Sequence, residues 1–111
     1  TWWAYLHRNL KSRGLTGTLP SAVGTFRHIE DLDLGDNYIT GTIPSKIGEL
    51  HTVGELDLSN NALTGTIPDS LAGLESLSHL NLLGNQFSGK LPAAFKERPY
   101  IHIAWDSPPE L

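Results

Sequence analysis

The sequence predicts an α/β solenoid, a right-handed coil of four 24-residue units with a parallel sheet on the concave face and short helical or 3-10 turns on the convex face. Three observations carry that expectation. Glycine and proline recur in step: Gly17, Gly41, Gly65 and Gly89 are each 24 residues apart, as are Pro20, Pro44, Pro68 and Pro92. Apolar columns keep the same period at Leu10, Leu34, Leu58 and Leu82, at Leu15, Ile39, Leu63 and Phe87, and at Leu19, Ile43, Ile67 and Leu91. One polar slot shares the frame, at Asn37, Asn61 and Asn85. A fixed period of this length marks stacked supersecondary units, each burying its apolar side against the next.

Taken in order, residues 1–7 precede the first unit and read TWWAYLH. A terminal coil has one apolar side without a neighbour, so Trp2, Trp3, Tyr5 and Leu6 are expected to cap it, with ligand-stacking aromatics as the other reading. Residues 8–101 hold the four units. The first is degenerate, with Arg8 in a leucine slot and Arg13 in the asparagine slot, as first coils often are. In the second and third units, Asp31 to Gly35 and Glu55 to Ser59 alternate polar and apolar residues with period two, which predicts strands buried on one side. Leu32, Leu34, Leu56 and Leu58 then point inward. Asn37, Asn61 and Asn85 follow at the turn, where an inward amide can satisfy backbone groups of two coils; these are structural positions. The glycines relax the backbone after them, and Pro44 and Pro68 open a helical or 3-10 turn. Residues 102–111 are expected to form a C-terminal cap, or a partial fifth coil, and an exiting tail, because Tyr100, Ile101, Ile103 and Trp105 leave the leucine frame and Pro108 and Pro109 follow.

The outward residues of the strands define a candidate binding face in three columns: His7, Asp31, Glu55 and His79; Asn9, Asp33, Asp57 and Asn81; and Lys11, Gly35, Ser59 and Leu83. Four carboxylates, Asp31, Asp33, Glu55 and Asp57, stand at its centre on two adjacent coils. Like charges opposite one another destabilise a sheet, so either a basic partner surface or a tolerated, solvated face is implied. Charge is also uneven along the chain, whose net charge is −4. Arg8, Lys11, Arg13 and Arg27 make the first coil basic, whereas nine carboxylates between Glu30 and Glu75 face the single Lys46. That distribution lacks the continuous basic stripe of a nucleic-acid groove.

Several chemistries are excluded or disfavoured. Absent cysteine removes disulfides, thiol catalysis and cysteine-ligated zinc. No apolar run reaches the roughly 18 residues of a membrane span, so no direct membrane insertion is expected. Asp33 and Asp57 would stand about 5 Å apart, near the spacing of retaining glycosidases, but on a flat, wet strip rather than in a partly dry pocket. His7 and His79 lie three coil steps apart, about 14 Å, too far to share a metal. No catalytic residues, metal or cofactor are therefore assigned. Thr16, Thr40, Thr64 and Ser88 form one ladder on a second, outer sheet, and Thr18, Thr42 and Thr66 another, a pattern able to match a repeating surface such as ice or a cell-wall glycan. The chain starts at Thr1 without a leader, as expected of a processed or excised piece.

The variant L-T-G-T-I-P at Leu63 to Pro68, within the L-x-x-L-x-L-x-x-N frame, resembles the plant-specific class of leucine-rich repeats, over about Arg8 to Ile101. That resemblance extends to ectodomains of receptor-like kinases and receptor-like proteins and to polygalacturonase-inhibitor-like proteins. It implies a non-catalytic protein- or peptide-binding module, part of a larger receptor-like or extracellular recognition protein, located outside the cell or at its surface. The family's cysteine-containing cap is missing, which keeps a second reading open, a structural or accessory subunit of a larger assembly that uses its solenoid ends and faces as interfaces.

Overall fold

Each 24-residue unit folds as one coil, because its alternating strand residues and its proline-opened turn hold apolar side chains at levels the next unit repeats. The computed structural model describes residues 7–26 and 28–106. The aromatic cap expected at Trp2, Trp3, Tyr5 and Leu6, and the tail with Pro108 and Pro109, lie outside those residues.

The strands are β1 (His7–Asn9), β2 (Thr16–Thr18), β3 (Asp31–Asp33), β4 (Tyr38–Gly41), β5 (Glu55–Asp57), β6 (Ala62–Thr66), β7 (His79–Asn81), β8 (Gln86–Ser88) and β9 (His102–Ala104). Odd-numbered strands form one parallel sheet in the order β1-β3-β5-β7-β9, and even-numbered strands form a second in the order β2-β4-β6-β8. Between the second sheet and the return to the first, each coil makes a 3-10 turn: Ser21–Thr25, Ser45–Glu49, Asp69–Gly73 and Ala93–Glu97. A proline precedes each turn, and the Pro44 carbonyl accepts the Ile47 amide at 3.0 Å while the ring fixes φ near −69°.

Strand register explains the core. Leu32 pairs with Leu56, Leu56 with Leu80 and Leu80 with Ile103, so three inward leucines and an isoleucine stack in one column. Ile29, Val53 and Leu77 form another column, and Val23, Ile47, Leu71 and Phe95 a third; all are buried. Each fully buried leucine contributes about 2 kcal/mol, so the stack rather than any single coil carries the fold.

The first-sheet strands are shorter than the alternation predicts, ending at Asp33 and Asp57 rather than at Gly35 and Ser59. The reason is local: the Gly35 amide donates to the carboxylate of Asp33, and the Ser59 amide to that of Asp57. At the C-terminal end the step shortens from 24 residues to 23, since His79 pairs with His102. One residue fewer brings Ile103 into the leucine slot, although strict counting by 24 would put Ala104 there.

Candidate functional site

The asparagine column fixes the turn that follows each first-sheet strand. The Asn37 Oδ1 accepts the amides of Arg13 and Leu15, both at 3.0 Å, and its Nδ2 donates to the carbonyls of Leu10, Leu34 and Gly35. Asn61 repeats this toward Ile39, Leu34, Leu58 and Ser59, and Asn85 toward Leu63, Leu58, Leu82 and Leu83. Each amide thus ties its own coil to the one before it. The strand that bears the outward residues is thereby held at its C-terminal end.

On that frame the outward residues fall into columns. In the column of Asn9, Asp33, Asp57 and Asn81, the Oδ1 atom accepts the amide two residues ahead: Lys11 at 3.2 Å, Gly35 at 2.9 Å, Ser59 at 2.8 Å and Leu83 at 3.1 Å. The two carboxylates are therefore partly structural, each committing one oxygen to its own turn. Gly35 leaves room for this: a Cβ there would sit 3.1 Å from Ser59 Oγ and 3.2 Å from one oxygen of each of Asp33 and Asp57.

The remaining columns behave differently. Ser59 is buried and its hydroxyl donates to Asp57 at 2.5 Å, so it supports the face rather than lining it. Lys11 is exposed, with Nζ 3.7 Å from Asp36, and Leu83 is an exposed apolar side chain. His7 pairs through its backbone with Asp31, Asp31 with Glu55 and Glu55 with His79. Counting by 24 missed His102, which pairs with His79 and stacks its ring on it, centroids 5.0 Å apart and planes within 11°. The signal was the alternation of Ile101, Ile103 and Trp105, which reveals a fifth strand.

Together these columns bound a shallow cleft of about 350 Å³, walled by Asn9, Asp31, Asp33, Glu55, Asp57, His79 and Asn81 over Leu32 and Leu56. Chemically it is an acidic strip floored by the strand backbone at Leu32 and Leu56, whose side chains point into the core, and it is suited to attract a cationic group. Among the described residues, no group of three or more His, Asp or Glu side chains is arranged to hold a metal ion, and no helix is long and apolar enough to cross a membrane.

The leucine-rich-repeat family model matches residues 27–87, more than half of the chain. The chain belongs to the leucine-rich-repeat family. Solved structures place this leucine-rich-repeat chain among plant members. It is 33% identical to a chain of the BIR3–SERK2 complex from Arabidopsis thaliana, with a TM-score of 0.72 over 83% of this chain and 50% of that one. It is 29% identical, with a TM-score of 0.84 over 90% of its length, to a chain in the structure of the Arabidopsis receptor kinase HAESA with the peptide hormone IDA and the co-receptor SERK1, of which it covers 17%. A plant ice-binding protein is 28% identical, with a TM-score of 0.74 over 83% of this chain and 30% of that one. The leucine-rich-repeat chain thus spans half or less of each of these structures. No curated protein sequence matches it.

Proposed function

We propose that this chain is a non-catalytic recognition module that holds an extended, basic protein or peptide segment on the first sheet. The observation that carries the reading is the acidic cleft, where Asp31, Asp33, Glu55 and Asp57 stand together on the outward side of two adjacent strands. Likeness to a chain from a receptor kinase complex that contains a peptide hormone supports a peptide or protein partner. The same likeness supports a place within a longer receptor-like protein, outside the cell or at its surface. Asp33→Asn with Asp57→Asn tests this well, because asparagine keeps the Oδ1 acceptor for the Gly35 and Ser59 amides while removing the charge. With hexa-arginine as probe at low salt, association should slow by about tenfold and its salt dependence should flatten. Unchanged kinetics would refute the reading.

A second reading rests on the other sheet. Thr16, Thr18, Thr40, Thr42, Thr64 and Thr66 are all exposed there, and Thr40 and Thr64 hydroxyls donate to the carbonyls of Gly17 and Gly41 at 3.4 Å. The register sets Thr16 beside Tyr38, Thr18 beside Thr40, Thr40 beside Ala62 and Thr64 beside Gln86, so the two ladders expected from counting by 24 are not aligned across the strands. What supports surface binding to ice or a glycan lattice is the exposed, uncharged threonine-rich face together with the likeness to a plant ice-binding protein. Ice-recrystallisation inhibition that vanishes in Thr42→Lys would establish it, and absence of inhibition in the unaltered chain would remove it.

A further inference from the structure

We propose that the first sheet reads a polyproline II segment in which a cationic and an apolar side chain stand three residues apart, the cationic one over Asp33 and Asp57 and the apolar one against Leu83 and Ala104. This inference rests on the reading of the acidic strip as a cation-binding face, and it adds the second contact that selects among basic segments. Two observations point to it: the outward side of the sheet changes character between β5 and β7, and the spacing of the coils fits one backbone conformation.

The change of character is abrupt. The outward residues of β3 and β5 are all carboxylates, whereas those of β7 and β9 are His79, Asn81, His102 and Ala104, with no carboxylate, lysine or arginine among them. Leu83, two residues beyond Asn81 on the same side, is 39% exposed. Ala104 takes the position that Asn9, Asp33, Asp57 and Asn81 hold in the preceding coils, and it pairs with Asn81. A methyl there stands lower than its polar neighbours, between the stacked rings of His79 and His102 toward the start of the strands and Leu83 beyond their end. Asp106, past Ala104, turns its carboxylate to the Gly84 amide. The fourth and fifth coils therefore offer an apolar seat beside the acidic one.

Spacing then selects the backbone. Each strand of this sheet is three residues long, about 10 Å, whereas five strands about 4.8 Å apart extend about 19 Å. A longer segment stays on this face only by crossing the strands. From the level midway between β3 and β5 to the level midway between β7 and β9 is two strand steps, about 10 Å. A β-extended chain, rising about 3.3 Å per residue, sets its like-facing side chains about 7 Å or about 13 Å apart, and both miss that step. Polyproline II, rising about 3.1 Å per residue with three residues per turn, returns a side chain to the same face after about 9 Å. It also asks for no backbone hydrogen bonds from a sheet whose inner strands already pair on both sides.

The test uses capped peptides of one composition, read by amide chemical-shift titration of the full chain at constant pH and low salt. Gly-Arg-Pro-Pro-Leu-Gly, or its reversal Gly-Leu-Pro-Pro-Arg-Gly, should bind about tenfold tighter than Gly-Arg-Pro-Leu-Pro-Gly, in which leucine is one residue closer to arginine. In Leu83→Ser the two spacings should bind within about twofold of each other, and the exposure of Leu83 means that this variant keeps the parent's melting curve. Asp33→Asn with Asp57→Asn should instead weaken both spacings by the same factor. Equal affinities in the unaltered chain, a spacing preference that survives Leu83→Ser, or no binding of these peptides by a chain that holds hexa-arginine would overturn this inference and leave the acidic face standing. No binding of hexa-arginine, or binding indifferent to Asp33→Asn with Asp57→Asn, would overturn the face and this inference together.

Discussion

The two ends of the solenoid are held by different means. At the N-terminal end the first coil is gripped from outside, by a residue of the next coil: Asn37 supplies the acceptor for the Arg13 and Leu15 amides and a donor for the Leu10 carbonyl. Leu10, Leu15 and Leu19 remain half-buried there, around an apolar cavity of about 180 Å³. At the C-terminal end the last coil does the gripping. Arg98 stands in the column of Phe26, Leu50 and Leu74, yet instead of adding another apolar layer it sends its guanidinium to the carbonyls of Ala72, Leu74, Glu75 and Leu77. Asp106 likewise accepts the Gly84 amide at 2.7 Å. In a stack stabilised by neighbour contacts, consensus residues serve the middle, and departures from consensus at the ends can satisfy backbone groups that a further coil would otherwise meet.

The comparison can be broken most severely at Asn37. Replacing it with alanine takes the partner from the Arg13 and Leu15 amides and the Leu10 carbonyl, all part-buried, while the Leu34 and Gly35 carbonyls keep Asn61 Nδ2 and the Ser12 amide, and should cost about 3 kcal/mol. Amide exchange should rise first in residues 10–18, whereas uniform loss of protection along the chain would show that the coils do not melt separately. Arg98→Ala should cost less, about 1–2 kcal/mol, because the side chain is only part-buried, and its loss of protection should fall on Ala93–Glu97 and β9. Arg98→Lys should restore under half of that in a urea melt, since an ammonium cannot span four carbonyls as a planar fork does. The smallest contrast sharpens the difference between end and middle. Gly17 and Gly65 have φ of +83° and +79°, so alanine is strained at both, but an added Cβ meets nothing near Gly17 and lies 2.7 Å from Thr42 Cγ2 at Gly65. Gly65→Ala should therefore cost about 2 kcal/mol and Gly17→Ala about 1 kcal/mol, and equal shifts in melting temperature would mean that the packing against Thr42 relaxes freely.

Much of the candidate face is legible in the order of residues alone. Period-two alternation at Leu32 and Leu34 and at Leu56 and Leu58 assigns the inward positions, and the residues between them form the acidic strip. Other features are hidden. Counting by 24 cannot reveal that the last step is 23, so His102 joins the first column only through its register with His79. Nor can it tell that Ser59 turns its hydroxyl to Asp57 and becomes buried while the equivalent Leu83 stays open. Arg98 reads as a mere interruption of the turn, because a sequence pattern scores the loss of a leucine but not the carbonyls waiting in the previous coil.

By itself the sequence determined the period, the buried columns and the asparagine turns, since each repeats a local choice whose consequence is the same in every coil. Tertiary structure alone decided which histidines stack and how Arg98, in the last coil, meets the coil before it. Those outcomes depend on atoms about one coil away, more than twenty residues distant along the chain. Only the stacking register brings them within bonding distance.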